Sequence, residues 1–150
     1  MQLIRLIAVP FMLCANPALA CGIALNTSGI LAPSADFTRM GSSEPGGVAA
    51  TFTVSNTLFG GDFRVTVDPP VLNSAPPAGF NTGTAQYFVS YTGIGLLSFV
   101  SQGYTAGSSH FDVPGLLGAL AVVMTLHNRI TNSSGLASGT YQTKTVITCS

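Results

Sequence analysis

Apolar and polar residues alternate with a period of two in several short runs of this chain, which predicts β-strands with one buried and one exposed face. In Ala50-Thr51-Phe52-Thr53-Val54-Ser55 the apolar Phe52 and Val54 share a face and the threonines take the other. In Asp62-Phe63-Arg64-Val65-Thr66-Val67 the apolar set is Phe63, Val65 and Val67, with Arg64 and Thr66 outside. The turn signal Phe59-Gly60-Gly61 between these runs predicts a hairpin. Asp68-Pro69-Pro70 ends the second strand, because proline has no ladder donor. Pro76-Pro77-Ala78-Gly79 marks a long loop. Gln86 to Tyr91 is an aromatic strand with Tyr87, Val89 and Tyr91 on one face. Gly93-Ile94-Gly95 turns the chain, and Leu96 to Val100 is placed to pair back. Ser108 to Val113 is a short strand cut by Pro114. The last strand, Thr140 to Cys149, sets Tyr141, Thr143, Thr145, Ile147 and Cys149 against Gln142, Lys144, Val146 and Thr148.

Gly115 to Leu126 is the most apolar stretch after residue 20, and it is too short to span a bilayer. Its glycines and the Val122-Val123 pair weigh against a helix. It reads as a turn and then a buried strand, Ala119 to Leu126, with a short helix over Leu116 to Leu120 as the alternative. Residues 26 to 48, rich in Ser, Gly, Pro and Ala, read as strand, loop or arm. Seven or eight short strands with regular turn signals predict an all-β protein, an antiparallel β-sandwich. A membrane barrel would need longer alternating strands and an aromatic strand end, where this chain ends Cys149-Ser150.

The first twenty residues carry a different signal. Arg5 precedes an apolar run from Leu6 to Cys14, and Ala18-Leu19-Ala20 supplies the small residues that a signal peptidase reads. Residues 1–20 are thus expected to be a secretory leader, and 21–150 one domain of a secreted chain in the periplasm or at the cell surface. Cys21 follows the cut directly, so a lipid-modified terminus competes. The position three before it, where acylation sites usually carry Leu, holds Ala18.

Removing the leader takes Cys14 with it and leaves Cys21 and Cys149. An even pair in an exported chain reads as a disulfide, within one chain or between two. The intrachain form needs the two Cα atoms within about 7 Å, which adjacent terminal strands would provide.

Charge then narrows the function classes. Charged residues are 7% of the 150-residue chain, with five Lys+Arg and five Asp+Glu, against roughly a quarter in average soluble domains. That is too little for a disordered polyampholyte or a basic nucleic-acid face. Residues 21–150 carry Arg39, Arg64, Arg129 and Lys144 against Asp36, Glu44, Asp62, Asp68 and Asp112. No catalytic, metal or cofactor motif appears: there is no G-x-S-x-G, H-E-x-x-H, C-x-x-C, phosphate loop or calcium loop. His110 and Asp112 share a strand face and read as a surface pair. His127, beside Asn128 and Arg129, reads as a strand end entering solvent. Asp62 and Arg64 read as a weak surface ion pair. Asn26-Thr27-Ser28 and Asn132-Ser133-Ser134 fit the glycosylation sequon. Tyr87, Tyr91 and Tyr104 could line a sugar-binding surface, or pack half-buried. The expectation is a protein that is not an enzyme and needs no cofactor.

The C-terminal run Gly139-Thr140-Tyr141-Gln142-Thr143-Lys144-Thr145-Val146-Ile147-Thr148, preceded by Ala137-Ser138, resembles the "aGtYsgtvtvtv" ending of bacterial pilin-like surface proteins. These include spore coat U-type subunits of archaic chaperone–usher pili and a related uncharacterised pilin-like family. Ala50 to Ser55, a glycine turn and Phe63 to Val67 are similar to their central hairpin. The resemblance covers about residues 48 to 149. It implies an immunoglobulin-like sandwich, a structural and adhesive role in a fimbrium-like assembly, and a periplasmic chaperone. It also implies partners that are other copies or related subunits, joined by strand addition. A donor arm would lie free at the mature N-terminus, whereas here Cys21 is positioned to tether that end. The alternative is a self-complete binding module for carbohydrate or a protein partner.

Overall fold

The computed structural model describes residues 21–56, 61–95, 99–115 and 121–150. The expected leader, the turn residues Phe59 and Gly60, Leu96 to Ser98, and the turn or helix over Leu116 to Leu120 lie outside the described residues. The described chain is all β. It contains β1 (Cys21–Thr27), β2 (Ala32–Pro33), β3 (Arg39–Gly41), β4 (Ala50–Asn56), β5 (Phe63–Val67), β6 (Val71–Leu72), β7 (Ala85–Gly95), β8 (Phe99–Thr105), β9 (Ser109–Val113), β10 (Ala121–Asn132), β11 (Thr143–Lys144) and β12 (Ile147–Cys149). A 3₁₀ turn at Thr82–Thr84, capped by the Asn81 side chain, leads into β7.

All strand pairs are antiparallel. The large sheet runs β8-β7-β10-β4-β1, and β3-β2 follow β10 beyond the end of β4. The small sheet is β12-β5-β9, and β11 pairs with β6. The two sheets face each other and bury one apolar layer. Phe52 and Val54, Val89 and Tyr91, and Val122, Met124 and Leu126 come from the large sheet. Phe63, Val65 and Val67 with Phe111 and Val113 come from the small one. Tyr91 crosses the layer: its ring lies 5.7 Å from that of Phe111, and its hydroxyl donates to Ser109 Oγ at 3.1 Å. The backbone at Gly93 passes directly over Met124, its opposite number in the ladder, and a Cβ there would run into Met124 Sδ.

The expected hairpin does not form. β4 pairs with β1 and β10, whereas β5 pairs with β9 and β12. Both strands have one strongly apolar face, and those faces meet across the core instead of lying side by side in one sheet. The apolar stretch also runs further than expected, as β10 through Asn132. It is buried on alternate residues only, and Val123 is 52% exposed. His127 therefore sits in the middle of a strand, not at its end. The last strand is broken in two: β11 belongs with β6, and β12 with β5. Residues 26 to 48 resolve into the end of β1, the short β2–β3 ribbon and an Ile30–Val48 bridge.

Arg64 does not pair with Asp62. Its register partner on β9 is Asp112, and Nε and Nη2 donate to the two carboxylate oxygens at 2.8 and 3.2 Å. That bond holds the Asp112 carboxyl below its ordinary range. Asp62 Oδ1 instead accepts the Gly115 amide at 2.6 Å.

Cys21 and Cys149 form the expected disulfide, with a Cα–Cα distance of 6.3 Å. The strands it joins are not neighbours in one sheet, as expected, but the facing edges of two: β1 and β12. Closing a loop with a sequence separation of 128 stabilises the fold by an upper figure of about 5 kcal/mol in the loop-entropy account. Replacing both cysteines with serine should lower unfolding free energy by about 2–5 kcal/mol in denaturant titrations, and a reductant should add nothing further to that variant.

The β2–β3 turn is held by Asp36. Ser34 Oγ and Thr38 Oγ1 donate to its two oxygens, and the Thr38 amide adds a third bond. These bonds lower its pKa from 3.8 to about 2. A depressed carboxyl stabilises the fold above its unfolded pKa, and that contribution is lost as pH falls through the folded value. Stability should thus decline as pH drops from 3.8 towards about 2, and Asp36→Asn should flatten the slope over that window.

Candidate functional site

Up to the register shift that follows Leu25, residues of β1 with the parity of Cys21 point between the sheets, as the bridge to β12 requires. Ile23 and Leu25 have that parity. Opposite them the small sheet offers only β12 and the broken approach to it, so the sheets part below the disulfide. The result is an apolar cleft of about 500 Å³. Ile23 and Leu25 form one wall, Ala50, Phe52 and Leu126 the floor, and Thr143, Thr145 and Ile147 the other wall. Although inward-facing, Ile23 and Leu25 stay 39% and 69% exposed. Lys144 is the charged residue at the rim among those that line it.

One polar group interrupts the inner face of β10. Asn128 falls where the alternation Leu126, Asn128, Ile130 calls for an apolar residue. Its Nδ2 donates to Thr143 Oγ1 at 3.3 Å, and its Oδ1 accepts from Thr145 Oγ1 at 2.9 Å. The amide thus uses both ends to pin the C-terminal segment against the large sheet. Sequence reasoning treated Asn128 as part of a solvent-facing strand end. The available signal was its even position in a strand whose even positions are buried.

The three tyrosines singled out from the sequence do not converge. Tyr91 is core, 1% exposed. Tyr87 is half-buried at one end of the sandwich, and burial and the neighbouring Tyr141 push its phenol above its ordinary pKa. Tyr104 lies on the outer face of the large sheet, where the Arg129 guanidinium stacks 3.7 Å from its ring centroid. Its hydroxyl bonds Ser43 Oγ at 2.8 Å.

The loop after β3 crosses that outer face. Ser42 Oγ bonds His127 Nδ1 at 3.1 Å, and Arg39 Nε lies 3.6 Å from Glu44. Ser42 is 5% exposed, so this serine–histidine contact fastens the loop and does not present a nucleophile. His110 and Asp112 both stand exposed on β9, where Asp112 is engaged by Arg64. Of the two sequon asparagines, Asn26 is exposed and exchanges hydrogen bonds with Thr53. Asn132 is 1% exposed and bonded to Thr84, Asn81 and Ser134, which closes it to a glycan in the folded chain. Among the described residues no helix is long and apolar enough to cross a membrane, and no cluster of three or more His, Cys, Asp or Glu could hold a metal ion.

No family model, curated protein or solved structure matches the chain.

Asn128→Ala should release Thr143 and Thr145, lower stability by about 1–3 kcal/mol, and speed amide exchange across residues 143–147 while β7 is unchanged.

Proposed function

We propose that the protein is a non-enzymatic structural subunit of a bacterial surface or pilus-like assembly, an exported immunoglobulin-like sandwich that takes on a strand at the edge of β1. The observation that carries this reading is that edge. Among the described residues β1 has β4 as its one neighbour. Its seven residues, Cys-Gly-Ile-Ala-Leu-Asn-Thr, include no charged side chain and no proline, two of the usual guards against strand addition, and its register against β4 shifts only after Leu25. An incoming strand would find backbone groups along β1 and an apolar cleft beneath its side chains. The leader expected over residues 1–20 and the pilin-like run of the tail support the same reading, as does a chain with so few charged residues.

Cys21 bears on direction. It already lies in β1 and is bonded to Cys149, so the segment from Cys21 to Thr27 is engaged within its own chain. The chain therefore acts as an acceptor of strands from other copies, related subunits or a periplasmic chaperone, and that segment does not leave its own sheet to complete another subunit. The same bridge favours a second reading, a self-complete binding module for a carbohydrate or protein partner. Its ligand would meet the cleft instead of a tyrosine surface, because Tyr91 is buried.

Export of the chain to an oxidising periplasm, followed by size exclusion and chemical cross-linking, tests the proposal. The expected outcome is self-association or a stable complex with a strand-donating partner. A chain that stays monomeric and captures no partner, alone or with the secretion machinery of a pilus system, would overturn it in favour of the self-complete module.

A further inference from the structure

We infer that β1 pairs with β1 of a second copy of this chain, antiparallel and about a two-fold axis through Ala24, so that two large sheets join into one. This rests on the reading of β1 as an accepting edge, and it names the strand accepted. The other edge of the large sheet is β8, and alternation through β7, β10 and β4 makes β8 and β1 parallel to each other. Copies added in the same orientation would therefore meet through a parallel β8–β1 ladder, whereas a two-fold gives the slightly more stable antiparallel ladder.

Register follows from side chains. In antiparallel pairing about Ala24, Ile23 of each copy lies opposite Leu25 of the other. Both are on the cleft side and exposed, at 39% and 69%, so two apolar cross-strand pairs would cover them. Shifting the axis to Ile23 leaves one such pair, Ile23 with itself, and sets Leu25 against Cys21; shifting it to Leu25 leaves Leu25 with itself and sets Ile23 against Thr27. No side chain in Cys21–Thr27 is charged, and the axis through Ala24 sets each Cys21 opposite the other copy's Thr27, so like charges do not oppose self-pairing. A two-fold contact also makes each copy's patch its own complement. Two strands of this length fall short of a standard interface, so the dimer should be weak and concentration-dependent.

The experiment uses the exported, oxidised chain in analytical ultracentrifugation over a concentration series. A concentration-dependent dimer is expected, with Leu25→Glu raising its dissociation constant about tenfold or more. Ile94→Glu, at an exposed site on the outer face, should leave it unchanged. Because Leu25→Glu also tests folding, Ala24→Cys provides an independent readout: oxidation should give a dimer cross-linked through residue 24, identified by non-reducing mass spectrometry. Association that ignores Leu25→Glu, without a 24–24 cross-link, overturns the β1–β1 pairing while leaving strand addition intact. A chain that remains monomeric yet binds a donor peptide along β1 also overturns it. Failure of both self-association and peptide capture removes the accepting-edge reading as well.

Discussion

The bond between Cys21 and Cys149 is the constraint around which the edge of this molecule is organised. Hydrogen bonds hold β1 to β4 and β12 to β5, but no ladder connects the two sheets. At their opposite edge the chain itself passes from β8 to β9, and Tyr91 bridges to Phe111 and Ser109. At the β1 edge the disulfide is the covalent connection. It holds one end of two facing strands together while the rest of each remains free to diverge. The cleft lies where the strands diverge, and the Asn128 contacts with Thr143 and Thr145 keep its far wall in place.

The outer surface shows how the chain can fold with so little charge. Ser101, Thr92, Thr125, Thr51 and Thr27 stand opposite one another in register across β8, β7, β10, β4 and β1. Thr27 and Thr51 share a hydrogen bond at 2.7 Å, and Asn26 Nδ2 donates to Thr53 at 2.9 Å. Hydroxyls and amides supply the polar face that lysines and glutamates supply elsewhere, and β-branched threonine suits a pleated strand. Charge is sparse and scattered outside β1: the Arg64–Asp112 pair across β5 and β9, the Arg39–Glu44 pair after β3, Asp36 in its turn, Arg129 over Tyr104, and Asp62, Asp68 and Lys144. The edge strand β1 has no charged side chain, so charge does not protect it from another strand.

What could be read in advance followed the range of the physics involved. The strand cores over 50–55, 63–67, 86–91 and 109–113 were legible because burial on one face imposes period two on neighbouring residues, and that signal is local. Cys21 and Cys149 could be paired because only two cysteines follow residue 20. The β4–β5 hairpin was misassigned because a glycine turn and two alternating runs look the same whether the strands lie side by side or face to face. The strand from Ala121 was cut short because His127, Asn128 and Arg129 look like an exit to solvent. Two of them are accommodated by stacking and loop contacts on the outer face, and the third by Thr143 and Thr145 on the inner.

The sequence by itself determined the class of the molecule: strands from alternation, a covalent link from cysteine count, and a surface of hydroxyls from composition. Each of these is a property of single residues or of neighbours along the chain. Only the tertiary structure decided which strands became neighbours, that the disulfide joins two sheets instead of two strands of one sheet, and that a cleft opens beneath it. Those outcomes depend on which apolar faces meet across the core. That choice is made between residues far apart in the chain, and alternation, which reports only inside or outside, does not encode it.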